Sequence, residues 1–309
     1  MFSPDKERIT GNHNATDGAP LHAEVRHAAP LRVAIQGVAG CFHDAAARRF
    51  YGPDPVQPVE CETFADMFAI LANDPSLRAV MAIENTIAGS LLPNHELLRR
   101  SRMRIVGEHK MRISHVLCAL PGQRPDNITE VHSHPMALQQ CEEYLLRHRR
   151  MRMVEDFDTA GSARNIAAAG RTGVAAVCGE FAANLYGLEI LERGIETNKH
   201  NFTRFLALEH EDSARTSAPA TSASGIDKAS VVFTLPHTKG ALSKVLTILS
   251  FYDINLSKIQ SLPLIGREWE YRFYVDLTFD EHHRYRQAID AILPLLSDFR
   301  VLGEYKSEN

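Results

Sequence analysis

The sequence predicts two domains, an α/β domain reaching to about residue 210 and a smaller α+β domain of ferredoxin-like order after it. Three observations predict this. From Leu31 onward, short apolar runs alternate with helical patterns, as in a βα protein. Between His210 and Asp227 the text turns to Ser, Ala and Thr without periodicity and reads as a linker, 211–227. The segment from 228 to 306 then reads strand, helix, strand, strand, helix, strand.

The first thirty residues mix charge, Gly, Pro and Asn with no apolar stretch. They read as a flexible tail and fit neither a secretory signal nor a transit peptide. RVAIQ (32–36) is a buried strand ahead of a glycine turn and an Ala-rich helix; AVMAIE (79–84), VLCAL (116–120), ITEVHS (128–133) and GVAAVC (173–178) are further strands. Strands apolar on both faces imply a largely parallel sheet covered by helices. In such sheets ligands sit beyond the carboxyl ends of strands, so the turns that follow them are where chemistry is expected. Past the linker, KASVVFTLP is a strand, and Leu242, Val245, Leu246, Leu249 and Tyr252 recur at helical spacing. NLSKIQSLPLI precedes EYRFYVDLTF, where Tyr271, Phe273, Val275, Leu277 and Phe279 alternate as in a half-covered antiparallel strand. A helix carrying Tyr285, Ile289, Ile292, Leu293 and Leu296 and the strand FRVLGEY complete the order.

Composition sets bounds. The hydrophobic share of 44% and charged share of 23% are those of a globular chain, and no apolar run approaches a membrane span. The formal charge is 34 − 38 = −4 without a long basic tract, which argues against nucleic acid. Arg147, Arg149, Arg150 and Arg152 cluster at an expected helix end, where they complement the dipole. Cys41, Cys61, Cys118, Cys141 and Cys178 are odd in number, lack CxxC spacing and sit mostly in apolar segments. Reduced thiols in a cytoplasm are expected, not disulfides or zinc.

Five turns carry polar residues that their strands do not need. QGVAGCFHDAA places Gly37 and Gly40 where a backbone can approach a ligand, but lacks the third glycine and acidic partner of a dinucleotide fingerprint. IENTIAGS puts Glu84, Asn85, Thr86 and Gly89 after a buried strand. HSHPMALQQC offers Ser133 and His134 before Pro135, which suits a first helical position. In DFDTAGSARNIA, Asp158 or Thr159 caps a helix. Ordinary capping would explain each of these alone. NKHNFTRFLAL (198–208) gathers Lys199, His200, Asn201, Thr203 and Arg204 before an apolar run.

Taken together, GVAGCFHDAA, ENTIAGS, SHPMALQQC, DTAGSA, AANLYGL and NFTRF, in this order, resemble the motif series of the prephenate dehydratase family. GALSKVL and IQSLP resemble the ACT regulatory domain that the family carries, and the likeness runs from about 32 to about 305. It implies a catalytic domain (31–210) built like a two-lobed type II periplasmic binding protein. One lobe would take about 31–108 with 196–210 and the other 109–195, with NFTRF lining the cleft. It implies no cofactor or metal, prephenate as substrate, L-phenylalanine as allosteric effector, and a homodimer or homotetramer. Thr203 would assist departure of the ring hydroxyl, His134 would relay a proton, and Arg204 would grip the pyruvyl carboxylate, since a guanidinium offers a bidentate fork. Phe205 would be an apolar wall. Gly37, Gly40, Asn85, Thr86, Gly89, Ser133, Thr159 and Asn201 would orient the anion. The sequence departs from the family pattern at Val38, Thr86 and Met136, and Gln260, Ser261, Leu262 and Pro263 stand where the family has ESRP. With Gly240, Ala241, Leu242 and Asn255, those four would form the phenylalanine site. Two rival readings remain: the same reaction on arogenate, whose amino group would welcome an acidic partner, and a catalytically silent amino-acid sensor.

Overall fold

The computed structural model describes residues 29–52, 55–213, 225–267 and 269–308. The expected tail, residues 1–28, and the linker core, 214–224, lie outside the described residues.

The first lobe runs β1 (Leu31–Gln36), α1 (Phe42–Tyr51), β2 (Val56–Cys61), α2 (Phe64–Asn73), β3 (Arg78–Asn85), β4 (Gly89–Ser90), α3 (Leu92–Arg100) and β5 (Met103–Arg112). The second runs β6 (Val116–Ala119), β7 (Glu130–Ser133), α4 (Pro135–Gln140), α5 (Glu142–Arg147), β8 (Arg152–Glu155), α6 (Thr159–Ala169), β9 (Val174–Cys178), α7 (Glu180–Leu185) and β10 (Glu189–Arg193). The chain then returns to the first lobe as β11 (Phe202–His210). Strand orders are β2-β1-β3-β11-β5 and β10-β6-β9-β7-β8.

Neither sheet is largely parallel, which corrects the expectation from apolar strands. β11 comes back antiparallel between β3 and β5, and β6 lies antiparallel between β10 and β9. A strand returning from another lobe need not follow the right-handed crossover that keeps neighbours parallel. The first sheet also keeps the chain through Arg112, four residues past the expected crossing at 108.

The third unit is β12 (Lys228–Thr234), α8 (Ala241–Phe251), β13 (Asn255–Pro263), β14 (Tyr271–Thr278), α9 (His282–Ile292) and β15 (Asp298–Tyr305). Its antiparallel order β13-β14-β12-β15 is the ferredoxin-like arrangement that the strand and helix periods predict. Its helices cover one face, burying Val231, Phe233, Val245, Leu249, Tyr285 and Ile289. The other face is apolar as well. Val232, Tyr274, Leu302 and Tyr305 join one continuous core with Met81, Ile83, Leu206 and Leu208 of the first lobe. Gly303 lets the two sheets meet, because a Cβ there would lie 2.3 Å from the Ile105 carbonyl oxygen. On its opposite face the first sheet, through Val33, Ile35, Ala82 and Phe205, shares a core with Val116, Cys118, Ala163 and Ala176 of the second lobe. All five cysteines are buried free thiols, and no described helix is long and apolar enough to cross a membrane.

Candidate active site

A cleft of about 250 Å³ opens between the lobes, and β11 forms part of its wall. Because side chains alternate across a strand, Thr203 and Phe205 face this cleft together. Thr203 pairs with Asn85 of β3, whose side chain fixes what the threonine can do. The Asn85 Oδ1 accepts from the Ile87 and Ala88 backbone N–H groups, each at 2.9 Å, so its Nδ2 must point the other way. That Nδ2 donates to Thr203 Oγ1 at 3.0 Å and to Asn201 Oδ1 at 2.7 Å. With one lone pair of Thr203 taken by an amide that Phe202 O shares at 3.2 Å, its hydroxyl hydrogen is free to donate, and the cleft is open to it.

The amide chain continues into the second lobe. Asn201 Nδ2 donates to Gln140 Oε1 at 3.1 Å, and His115 Nε2 lies 3.1 Å from the same oxygen. Gln140 Oε1 can only accept, so His115 is the Nε2–H tautomer, kept neutral because burial lowers its pKa. Gln140 and His115 line the cleft, whereas Asn201 stands behind the wall, 1% exposed.

Among the described residues no lysine or arginine lines the cleft, and Asp158 is its one carboxylate. Positive potential comes from the backbone instead. Cys41, Leu91, His134 and Asp158 are N-cap residues of α1, α3, α4 and α6, and all four line the cleft. The helix dipoles there favour an anion, although first-turn N–H groups of α4 and α6 are already capped by His134 Nδ1 and Asp158 Oδ1. Asp158, rather than Thr159, is the cap, its Oδ1 accepting from Gly161 N at 2.7 Å. Burial pushes its carboxyl up against the pull of the Gly161 and Ala160 N–H groups. His134 Nδ1 accepts from Met136 N at 3.2 Å, which leaves Nε2 to carry the proton of the neutral ring. Among the described residues no group of three potential ligands could hold a metal.

Over residues 33–213 the chain matches the family described as prephenate dehydratase. The chain belongs to that family. It is 39% identical over 299 residues to the arogenate dehydratase/prephenate dehydratase 6 of Arabidopsis thaliana, covering 90% of this chain and 70% of that one. The prephenate dehydratase of Arthrobacter aurescens, solved in complex with L-Phe, superposes with a TM-score of 0.76 at 25% identity, covering 89% of this chain and 90% of that one. A structure described as GqqA, a novel type of quorum quenching acylase, gives a TM-score of 0.77 at 30% identity, covering 90% and 98%.

Against the expectations from the prephenate dehydratase motifs, the structure brings Thr203, Phe205, Asn85, His134 and Thr159 to one cleft, with Gly37 between the lining residues Gln36 and Cys41. Six others need correction: Asn201, which stands behind the wall and does not meet an anion, and the five that follow. Arg204 does not reach the cleft, because on a strand it must point opposite to Thr203. Its guanidinium enters the interface with the C-terminal domain, bonding Glu108 Oε2 at 2.6 Å, Asp276, and the Tyr305 hydroxyl at 3.0 Å. Gly40 serves packing between the lobes, since a Cβ there would sit 3.1 Å from Ala182 Cα. Thr86 ties the backbone at His200 O and Phe202 N. Gly89, at φ +79°, opens β4 just past the turn, pairs with Asn85 and has open space where a Cβ would stand. Ser133 is fully buried, donating to Val177 O at 2.5 Å.

In the C-terminal domain Gly240 takes a left-handed conformation at the N-cap of α8, ahead of Ala241 and Leu242. Leu262, flanked by Gln260, Ser261 and Pro263, lies across from Arg272, which in turn pairs Thr234 at the end of β12 that leads toward Gly240. Asn255 stands at the opposite end of the sheet, against Thr278 and Lys228. One small ligand on one protomer cannot span both ends, roughly 20 Å apart by strand rise.

Removing the Asn85 amide frees the Thr203 hydroxyl to rotate. Asn85→Leu is expected to lower kcat by about 10–100-fold with a smaller change in KM, as steady-state kinetics would show. Acid should also act here. Burial holds His43 at about 4, its Nε2 accepting from Ala82 N, and burial with nearby Lys258 holds His95 at about 4. Both folded values lie below the unfolded 6.5. Their stabilisation is therefore complete above pH 6.5 and is lost as pH falls toward 4, by about 3 kcal/mol each at the limit. Thermal melts should fall steeply across that window, and less so in His43→Asn.

Proposed function

We propose that this chain catalyses the decarboxylative dehydration of prephenate to phenylpyruvate, the step that leads to phenylalanine. The observation that carries the reading is the Thr203 hydroxyl, which accepts from Asn85 and faces a cleft rimmed by four helix N-termini. In the reaction the ring carboxylate leaves as carbon dioxide, its electron pair aromatises the ring, and the ring hydroxyl departs. One proton is taken up to make water. Thr203 donates a hydrogen bond to the oxygen as charge develops on it, and the His134 Nε2–H can add a second; with Nδ1 held by the Met136 N–H, His134 is a hydrogen-bond donor rather than a relay, and the proton is taken up from solvent. The carboxylates are held by amide N–H groups and side-chain amides, not by a guanidinium. A fixed cation on the ring carboxylate would stabilise the substrate more than a transition state that is losing that charge.

Arogenate is the second reading, and Asp158 is the observation that favours it. A half-buried carboxylate on the cleft suits an ammonium better than a keto group. Relative kcat/KM on the two substrates decides between them. Acyl transfer, which the GqqA description raises, lacks an activated nucleophile here. The Cys41 thiol is pushed up to about 12 by burial first and then by Asp158, and Thr203 Oγ1 is bonded to an amide rather than a base.

We assign the C-terminal unit as an ACT domain that takes L-phenylalanine, with Gly240, Ala241 and Leu242 at the start of α8 and Gln260, Ser261, Leu262 and Pro263 on β13. Asn255 joins that site only if a second copy supplies it, in keeping with a homodimer or homotetramer in the cytoplasm. Isothermal titration with L-phenylalanine should show saturable binding below about 1 mM that Gly240→Val abolishes. No heat at 10 mM would leave the domain a purely structural role.

A further inference from the structure

Two residues on the far face of the first sheet sit directly beside the cleft pair. Thr203 pairs with Asn85, and their neighbours Arg204 and Glu84 pair with each other one step along the same two strands. Both neighbours are held by the C-terminal domain. Arg204 bonds Asp276 of β14 and Tyr305 of β15, while Glu84 accepts from Lys258 of β13 at 3.0 Å. Glu108 of β5 takes Arg204 on one side and Lys228 of β12, at 2.9 Å from both oxygens, on the other. Ser230 closes the network on Asp276 Oδ1 at 2.5 Å and on the Tyr305 hydroxyl at 2.8 Å.

The charges balance, two cations (Arg204, Lys228) against two anions (Glu108, Asp276), and every one of these side chains is at least about nine-tenths buried. Such a cluster has one good arrangement and no soft alternatives, since moving one member strands another charge. It therefore fixes the local path of β11 and β3. All four strands of the C-terminal domain contribute a side chain to it.

We propose that Arg204 and Glu84 are positioning residues through which the C-terminal domain sets the Asn85–Thr203 pair at the cleft. The regulatory domain thereby grips the catalytic hydroxyl from behind, one residue away along the strand, without touching substrate. The role of Thr203 rests on the reading given above; the grip on β11 does not.

The test uses the full chain and variants in the C-terminal domain that touch nothing in the cleft: Asp276→Asn, Lys258→Met and Tyr305→Phe. Kinetics at saturating prephenate and arogenate are paired with hydrogen exchange of the peptide covering 198–208. Asp276→Asn is expected to lower kcat at least about 10-fold and Lys258→Met about 3-fold, each with KM within about 3-fold. Amides of β11 should exchange about 10-fold faster or more in Asp276→Asn. Arg204→Met with Asp276→Leu keeps the cluster neutral and separates folding from positioning. It should regain the melting temperature but not kcat. Wild-type exchange in all three single variants, or a double variant that recovers kcat along with stability, would overturn the proposal. If the wild type turns over neither substrate, the dehydratase reading fails alone, and the exchange measurement still decides the grip.

Discussion

Thr203→Val should lose about 100-fold or more in kcat while KM changes by only a few-fold. The substitution keeps the β-branched shape that a central strand favours and removes only the hydroxyl. In the ground state that hydroxyl meets a neutral alcohol oxygen. In the transition state of the proposed reaction the same oxygen carries developing negative charge. A donor aimed at developing charge contributes mainly there, and losing one such donor costs about 10²–10³ in rate. Thr203→Ser should recover much of the rate, because Asn85 Nδ2 still reaches the serine oxygen and still directs its hydrogen outward. A smaller loss in Thr203→Val than in Thr203→Ser would mean that the methyl group, not the hydroxyl, matters.

Among the described glycines, Gly303→Ala should be the most disruptive. The added carbon would fall 2.3 Å from Ile105 O and 2.6 Å from Ile105 Cβ, and no flexible side chain can yield there. The two sheets must separate, opening the core built from Leu206, Val232, Tyr274 and Leu302 and loosening the charges around Arg204. Strain of this kind costs about 1–3 kcal/mol, and more when backbone is struck. A melting temperature lower by roughly 5–10 °C is expected. Gly225→Ala, with nothing within 4 Å of its Cβ, is the matched control and should melt like the wild type.

Much of the fold was legible because local periods are strong where one face is buried. The alternation in EYRFYVDLTF and the helical spacing around Leu242 led directly to the ferredoxin-like topology. Other strands escaped that kind of reading. VQPVEC carries Pro58 in a sheet-edge strand, and MRIVGEHKMR alternates apolar with charged residues because Glu108 and Lys110 face partners 120 and 198 positions away. The site was half legible. NFTRF marked the right strand, but a sequence sets Thr203 and Arg204 side by side while a strand sets them back to back. The period of two that was applied to β14 would have separated them. The partners of Arg204 could not be found that way, since Glu108, Asp276 and Tyr305 lie 96, 72 and 101 positions distant. Gln140 was missed although it stands one helical turn beyond Met136 on the same face of α4, the one local signal pointing to it. His115 offered no signal at all, sitting beside a buried strand with no motif around it.

The central claim is that a threonine hydroxyl, aimed by an asparagine amide, drives the loss of hydroxide from a six-membered dienol acid. Formation of phenylpyruvate from prephenate, or of phenylalanine from arogenate, by the full chain and by Thr203→Val under saturating substrate tests it most directly. The account predicts steady turnover by the wild type and at least a 100-fold lower kcat in the variant. Turnover of neither substrate by the wild type, or equal kcat in the two proteins, would contradict it.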